Sequence, residues 1–460
     1  MRRVILVLAA LAAHASAQAA PITDYVGTYA DGSHHTIEIV AGKTLFAVVD
    51  GATYALKVSG PDEVTTVNGE KIPFRRDIAG KVSGYEESGQ FHRRLSTSVS
   101  AEAAQLAYPR PAGEVYRYAI PADRHDGIAV GSIANTPLGV ATADAIVAKI
   151  SDGTYPNVHS VLLYQNGRLV MEEYFYGYSA GRRHQLRSAT KSIVSALAGI
   201  AVDHGKLSID APALGLLGLR SPANPDPRKA KITVCDFLTM RSGLACNDHS
   251  ADSPGRETVI DAQPDWVKAM FDLPQVNDPG KDGYYCSGGV AVVGRIVENA
   301  TKSYLPDYAR THLFAPLGIT DWTWNYDLTN KDTEYSQIHL RPRDMLKLGL
   351  LYADDGRWHH RQIISKQWVR ASLRKQSMVD DTEYGYFWWR PWLNVGGKPV
   401  YVRAAQGNGG QKIYILPEYR LVAVFTGGDY NAASSPMNKI MIDDVLPKLM
   451  AAYPEATTPP

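Results

Sequence analysis

The sequence predicts an α+β protein in which a small all-β domain precedes a larger mixed domain, and two patterns support this fold class. Residues 20–100 contain short runs of alternating apolar and polar side chains, separated by turn dipeptides such as Asn68-Gly69. This pattern is typical of β-hairpins. Residues 125–455 instead place predicted strands at both ends of the segment and helices between them. That order favours one sheet built by the two ends of the segment together.

The elements can be assigned in chain order. The all-β domain has no convergent set of acid, base and nucleophile. Its adjacent His34 and His35 point to opposite faces of a strand, which disfavours a metal site. Residues 101–124 are rich in Pro and Gly and predict a linker. The larger domain has these predicted elements: a helix at 141–150, strands at 158–164 and 169–175, a helix at 192–204, and strands at 411–416 and 421–426.

The composition excludes several classes of protein. The 460 residues carry 48 Lys+Arg against 47 Asp+Glu, so the clustered basic excess of a nucleic-acid-binding protein is not expected. With 8 Trp, 26 Tyr and 9 Phe, the chain can fill a core, which disfavours disorder. No later segment has the roughly 18 uncharged apolar residues that span a bilayer. We expect a small-molecule substrate, no nucleic acid and no stable membrane anchor, and the oligomeric state stays open.

The N-terminus predicts a secretory signal peptide in residues 1–19. Arg2 and Arg3 supply positive charge, residues 4–13 form an uncharged apolar run, and the small residues Ala17 and Ala19 offer cleavage positions. The apolar run is too short for a bilayer span but fits the hydrophobic region of a signal peptide. We therefore expect a mature protein that is periplasmic or secreted.

Three cysteines in an exported protein permit one disulfide and leave one thiol. Cys235 and Cys246 lie on either side of a predicted helix and turn, which makes them the expected pair. Cys286 is then expected to be a free, buried and structural thiol.

The chemistry centres on Ser188 and Lys191, at the start of the predicted helix 192–204. Residues three apart lie on one face of a helix, so the hydroxyl and the ammonium are expected side by side. The helix is apolar over most of its surface, and a buried lysine needs a partner or a lowered pKa. The helix N-terminus also favours negative charge that develops on Ser188.

Two alternatives to a catalytic Ser188–Lys191 pair stay open at this point. In one, Ser188 is a helix N-cap and Lys191 is a surface residue. The other concerns a second pair with the same spacing, Ser372 and Lys375. That pair lies in the charged stretch 368–375, which predicts a surface helix without a buried face.

Four stretches in order resemble the serine β-lactamase and penicillin-binding-protein superfamily, and within it the branch of esterases and 6-aminohexanoate-dimer hydrolases. They are 184–192 around Ser188, 232–244, 279–298 around Tyr285, and 405–417. The resemblance covers roughly residues 125–450. It implies an antiparallel sheet flanked by helices, with a helical subdomain. The all-β domain resembles a lipocalin-like accessory domain.

By this resemblance, Tyr285 handles protons together with Lys191. Acyl transfer needs a group that removes the serine proton and later protonates the leaving group. A phenol with a pKa of about 10 must be made more acidic by a nearby cation, and Lys191 is the candidate. Tyr284 is the alternative assignment, and which of Lys191 and Tyr285 takes the first proton stays open. Ser287 replaces an asparagine that is frequent in the family, and as a hydrogen-bond donor it would support the site.

The stretch that begins at residue 405 corresponds to the family's third catalytic motif, and it departs most from the family. Where related β-lactamases carry Lys-Thr-Gly, this chain has Ala405-Gln406-Gly407 followed by Asn408, and Arg403 stands two residues early. Gly407 and Gly409 suit a strand edge that approaches the substrate closely. By resemblance, the backbone N–H groups of Ser188 and Asn408 form the oxyanion hole. A glycine-rich hairpin without a catalytic role is the alternative.

The sequence therefore predicts an exported serine hydrolase that cleaves an ester or amide bond through an acyl-enzyme on Ser188, with a carboxylesterase or amidase as the first interpretation. A β-lactamase or D-alanyl peptidase is the alternative, and a non-catalytic binding protein on the same fold is the second alternative. No cofactor or metal is expected, because the HExxH, P-loop and dinucleotide-binding motifs are missing. His359-His360 and Asp248-His249 predict surface loops. The aromatic run 384–389 predicts core packing, with the lining of a pocket as the alternative.

Overall fold

The computed structural model describes residues 21–31, 35–49, 52–111, 113–219, 222–326, 333–432 and 435–457. The predicted signal peptide and His34 lie outside these residues. The chain forms two compact units, one ending at Tyr108 and the other beginning at Pro109. This boundary falls within the predicted linker 101–124, whose first residues form a short helix, α1 (Ala101–Gln105).

The first unit is a closed barrel of eight antiparallel strands, each paired with the next and the last with the first. The strands are β1 (Gly27–Asp31), β2 (His35–Ala41), β3 (Leu45–Val49), β4 (Ala52–Gly60), β5 (Glu63–Thr66), β6 (Lys71–Arg76), β7 (Val82–Glu87) and β8 (Gln90–Ser96). Inward-facing apolar residues fill the barrel. The rings of Tyr25, Tyr29, Phe74 and Tyr85 meet there with centroids 4.8 to 6.1 Å apart. The predicted N-terminal all-β fold is confirmed.

The second unit is built on an eight-stranded antiparallel sheet in the order β10-β9-β23-β22-β21-β18-β17-β16. Strands from both ends of the unit meet at its centre, where β9 pairs with β23. The strands of this unit are β9 (Val158–Gln165), β10 (Arg168–Tyr174), β11 (His184–Gln185), β12 (Trp322–Tyr326), β13 (Thr333–Leu340), β14 (Arg357–Trp358), β15 (Arg361–Gln362), β16 (Ser377–Val379), β17 (Thr382–Tyr384), β18 (Trp389–Arg390), β19 (Trp392–Val395), β20 (Lys398–Tyr401), β21 (Arg403–Gly407), β22 (Gln411–Leu416) and β23 (Leu421–Gly427).

Helices cover both faces of this sheet. They are α2 (Val140–Ser151), α3 (Thr190–Asp203), α4 (Ala213–Leu217), α5 (Val234–Leu238), α6 (Glu257–Asp261), α7 (Trp266–Asp272), α8 (Gly288–Thr301), α9 (Leu305–Ala309), α10 (Pro342–Ala353), α11 (Lys366–Leu373), α12 (Pro436–Lys439) and α13 (Leu446–Ala452). Among the residues that the structure describes, no helix combines the length and apolarity needed to cross a bilayer.

The main core lies between the sheet and the helical part of the second unit. Helix α3 is its centre, since every residue from Thr190 to Ala201 is buried. Helix α10 crosses the sheet at Gly349, where a Cβ would lie 2.7 Å from the side chain of Val422. On the opposite face, Lys149 of α2 forms a 2.6 Å ion pair with Asp444. The predicted α+β architecture, with helices around an antiparallel sheet, is confirmed.

The predicted disulfide pairing is wrong. Cys246 is bonded to Cys286, with Cα atoms 5.5 Å apart, and Cys235 is the free cysteine. A backbone hydrogen bond from Asp248 N–H to the Tyr285 carbonyl lays the two loops side by side, a contact that spacing along the chain does not reveal. Cys235 lies on α5, where burial raises the pKa of its thiol.

The stretch 368–375 was predicted to have no buried face, which is also wrong. Helix α11 buries Trp368, Val369, Ser372 and Leu373 on one side, a spacing of one helical turn that the intervening charges obscure. The Ser372 hydroxyl is fully buried and donates a 2.8 Å hydrogen bond to the Trp368 carbonyl. Ser372 is therefore a core residue. The aromatic run 384–389 packs in the core as predicted, apart from half-buried Trp389.

Candidate active site

Ser188 lies on a tight helical turn, Arg187–Ala189, that leads directly into α3. Arg187 has a left-handed backbone with φ of 49°, a conformation that is costly for a residue with a side chain and is found where the surrounding structure imposes it. The turn is held from one side by a 2.8 Å hydrogen bond from Leu186 N–H to the Ile338 carbonyl of β13. The half-buried serine thus stands at the N-terminus of a buried helix.

Lys191, one helical turn later, contacts the serine directly. Its ammonium donates a 2.8 Å hydrogen bond to the Ser188 hydroxyl, and the side chain is buried. Burial opposes the charged form, yet the Tyr285 hydroxyl and the Glu257 carboxylate together raise the pKa of Lys191 above its ordinary value. This geometry excludes the interpretation of Lys191 as a surface residue.

Tyr285 completes the cluster. Its ring centroid lies 5.0 Å from the Lys191 ammonium, and the Tyr285 phenol contributes to the raised pKa of that lysine. Tyr284 is 40% exposed and directs only its backbone N–H inward, to the Met240 carbonyl. Of the two adjacent tyrosines, the structure brings Tyr285 to Lys191, the residue that contacts Ser188.

The loop that carries Tyr285 is anchored by Asp248. One carboxylate oxygen of Asp248 accepts a 2.7 Å hydrogen bond from Ser287 N–H, and the other accepts a 2.8 Å bond from Glu257 N–H. The Glu257 carboxyl lies close enough to Lys191 to contribute to the raised pKa of that lysine. Burial in turn raises the pKa of the Glu257 carboxyl. The Ser287 hydroxyl is buried and has no hydrogen-bond partner within the described chain. Its predicted supporting role stays a prediction.

The third motif, residues 405–408, forms a strand edge beside the turn that carries Ser188. Gly407 faces the turn that carries the serine, and Ala405 packs in the core. Asn408 follows at the end of β21, and its side-chain amide donates a 2.7 Å hydrogen bond to the Asn431 side chain. Gly409 has a left-handed φ of 86°, and a Cβ there would lie 2.5 Å from the Tyr430 ring. The turn after β21 is therefore tightly constrained.

Two cations on the strands of this motif, Arg403 and Lys412, are engaged with other side chains. Both terminal nitrogens of Arg403 donate to the Glu418 carboxylate, at 3.0 and 2.9 Å. Lys412 is buried on β22 and donates to the side-chain oxygen of Gln406. Burial lowers the pKa of Lys412 to about 8. The hydrogen bonds of Arg403 and Lys412 therefore direct neither cation towards Ser188.

Two contacts of the Tyr285 ring were not predicted from the sequence. His249, predicted as a surface-loop residue, stacks on the Tyr285 ring with centroids 5.4 Å apart and planes 13° apart. Trp389 also contacts that ring, at 5.3 Å. Each lies far from Tyr285 along the chain, so no local pattern could have revealed the contact. Among the residues described, no group of His, Cys, Asp or Glu is arranged to hold a metal ion.

Comparison with known proteins agrees with this geometry. The family model of the β-lactamases matches residues 144–443, which is more than half of the chain. The chain belongs to the β-lactamase family. Family membership places it among the serine hydrolases.

The relatives of this chain include proteins named as an esterase and a dimer hydrolase. The chain is 33% identical to lovastatin esterase of Penicillium rubens over 36% of its own length and 45% of that protein. It is 23% identical to 6-aminohexanoate-dimer hydrolase of Paenarthrobacter ureafaciens over 49% of its own length and 59% of that protein. The chain thus matches about half the length of these relatives.

A solved structure supports the fold. Simvastatin synthase of Aspergillus terreus aligns with 69% of this chain and 99% of its own, with a TM-score of 0.53 and 15% identity. At this identity the likeness establishes the fold alone. The family named from the sequence resemblance is confirmed.

Proposed function

We propose that this protein is a carboxylesterase or amidase that works through an acyl-enzyme on Ser188. The observation that carries the proposal is the 2.8 Å hydrogen bond from Lys191 to the Ser188 hydroxyl, with Tyr285 against the same ammonium. This arrangement places the nucleophile beside a lysine–tyrosine pair through which its proton can be relayed, which is what acyl transfer requires. The names of the two relatives, an esterase and a dimer hydrolase, support the same class of reaction.

The mechanism follows from these contacts. The Ser188 oxygen attacks the substrate carbonyl while its proton passes to the Lys191–Tyr285 pair, and the same pair then protonates the leaving group. The backbone N–H groups of Ser188 and Asn408 bind the oxyanion, since the helix N-terminus and the constrained turn after β21 supply donors that need no reorganisation. A water then attacks the acyl-enzyme, the acid leaves, and Ser188 regains its proton.

The alternative of a β-lactamase or D-alanyl peptidase fits the third motif less well. Those substrates present a carboxylate, and a desolvated charge needs a fixed partner. Arg403 already binds Glu418, and Lys412 donates to Gln406. A neutral ester needs no such cation, which favours the esterase.

Labelling of the nucleophile tests the proposal. A fluorophosphonate probe should modify Ser188, located by peptide mapping, and Ser188→Ala should abolish both labelling and hydrolysis of p-nitrophenyl butyrate. Ser372→Ala is the matched control, because its hydroxyl is buried and bonded to the Trp368 carbonyl. This control should still be labelled. Labelling that persists in Ser188→Ala would refute the nucleophile.

We also propose that the protein is exported, to the periplasm or beyond the cell. The disulfide between Cys246 and Cys286 supports this, because such bonds persist in oxidising compartments. Sequencing the N-terminus of the protein purified from the exported fraction of its own cells should give a chain that begins near residue 18 or 20. An intact Met1 would contradict the proposal.

A further inference from the structure

The loop of Tyr285, residues 285–287, makes four contacts with a neighbouring segment, residues 246–249. Cys246 is bonded to Cys286, and the N–H of Asp248 binds the Tyr285 carbonyl. The Asp248 carboxylate binds the N–H of Ser287, and His249 stacks on the Tyr285 ring. The first three contacts fix the backbone around Tyr285. The fourth contacts its side chain.

His249 is itself held in place by a second element. Its Nδ1 lies 2.8 Å from a carboxylate oxygen of Asp380, in the turn between β16 and β17. A β-bridge between Gly283 and Val379 holds this hairpin against the loop that carries Tyr285. Asp380 has a left-handed φ of 46°, which fits a tight turn that presents its carboxylate to the imidazole.

A purely structural role does not account for this arrangement. The His249 side chain is 58% exposed and that of Asp380 is 34% exposed, and ion pairs of such exposure contribute little to stability. The ring contact instead falls on the side chain that lies against Lys191. Proton transfer depends on the placement of that phenol, and a displacement of 1 Å in an active site can cost about 10²-fold in rate.

We propose that His249, held by Asp380, is a positioning residue that orients the Tyr285 phenol for proton transfer with Lys191. The proposal rests on the proposed function. It requires that the effect of His249 passes through Tyr285, and that substrate binding is left unchanged.

The test measures kcat and KM separately for p-nitrophenyl butyrate. His249→Ala should lower kcat about tenfold, a part of the roughly 10²-fold that misplacement can cost, with KM unchanged. His249→Phe, which keeps a ring against Tyr285, should restore most of kcat. Asp380→Gly, which tolerates the left-handed turn, should lower kcat in the same direction while the melting temperature is retained. His360→Ala, at an exposed histidine in the turn between β14 and β15, should have no effect.

A double-mutant comparison gives the decisive result. In a Tyr285→Phe background, His249→Ala should cause no further loss, because residues that act as a unit are not additive. An equal loss in both backgrounds, an increase in KM with kcat unchanged, or no loss at all would overturn the positioning role. Failure of the proposed function can be told apart from failure of the positioning role. It would appear as missing label on Ser188 in the parent protein, or as full activity of the Tyr285→Phe variant.

Discussion

Gly407 passes the carbonyl oxygen of Leu186 so closely that a Cβ on residue 407 would lie 2.1 Å from that oxygen. Leu186 stands two residues before Ser188, so the edge of β21 is in direct contact with the turn that carries the serine. The contact sets the separation between the two backbone N–H groups proposed for the oxyanion hole. A glycine is required here by the close approach of two backbones.

Gly407→Ala should therefore reduce catalysis more than stability. Moving β21 away from the Ser188 turn separates the two oxyanion donors, and the loss of one such donor costs about 10²- to 10³-fold in kcat. We expect a decrease of about 10²-fold in kcat for p-nitrophenyl butyrate. Gly215→Ala is the matched control, since a Cβ there has nothing within 4 Å. A Gly407→Ala enzyme with full kcat would show that the contact does not set the site.

The proton-transfer pair gives the second prediction. Lys191→Ala and Tyr285→Phe should each lower kcat by about 10²- to 10⁴-fold, the range for general acid–base catalysis. The double variant should be little worse than either single one, because both groups serve one proton transfer. Steady-state kinetics with p-nitrophenyl butyrate measures all three.

Tyr284→Phe is the control for this pair, because the Tyr284 side chain is 40% exposed. It should keep parental kcat. Full activity in Tyr285→Phe, together with a loss in Tyr284→Phe, would transfer the role to the other tyrosine.

The sequence predicted those features that depend on local spacing. Strand β22 begins and ends at the predicted residues, Gln411 and Leu416, because alternation and turn residues mark both ends. The pairing of Ser188 with Lys191 also follows from local geometry, as residues three apart share a helix face. The resemblance then located Tyr285, which no periodicity identifies.

Features that depend on contacts between distant segments could not be predicted. The partner of Cys286 is 40 residues away, and the partner of His249 is 131 residues away. In both cases, loop conformations bring the side chains together, and single-sequence patterns carry no information on loops of that kind. The prediction that Ser372 lies on the surface was wrong for another reason. Charged residues lie between the buried positions of α11, and they hid the apolar spacing that marks a buried helix face.

A buried histidine pair next to the Ser188 turn predicts loss of stability in mild acid. His159 and His184 are fully buried and share a 2.9 Å hydrogen bond. Burial lowers the pKa of His184 to about 4, and that of His159 is also lowered. In the unfolded chain, both imidazoles are protonated as the pH falls through about 6.5. In the folded chain, they are protonated only at lower pH. Stability is therefore full above about pH 6.5 and decreases as the pH falls towards 4.

For His184 alone, this linkage corresponds to about 3 kcal/mol between these limits. Urea unfolding at pH 7.5 and pH 5, followed by tryptophan fluorescence, measures the part of this linkage that falls between the two pH values, about 2 kcal/mol. All 8 tryptophans lie after Pro109, so the signal reports on the second unit. His184→Gln should show a smaller difference between the two pH values, and His360→Ala the parental difference. An unchanged difference in His184→Gln would contradict the prediction.

The last prediction separates an esterase from a β-lactamase and concerns the pair formed by Arg403 and Glu418. Arg403 is the cation whose position along β21 most resembles that of the missing lysine. Two hydrogen bonds of 3.0 and 2.9 Å hold its guanidinium on Glu418. A β-lactam carboxylate entering the site would lose its water without gaining Arg403 as a charged partner. An unpaired buried charge costs more than a neutral hydrogen bond returns.

We therefore expect hydrolysis of p-nitrophenyl butyrate and at most trace turnover of nitrocefin, with kcat/KM differing by about 10²-fold or more, since leaving a buried charged group unpaired costs upwards of about 3 kcal/mol. Arg403→Ala should leave this preference unchanged, because the guanidinium is engaged with Glu418 in the parent. Measuring kcat/KM for both substrates on both proteins checks the prediction. If nitrocefin is the better substrate and Arg403→Ala abolishes that preference, Arg403 reaches the substrate carboxylate and the enzyme acts as a β-lactamase.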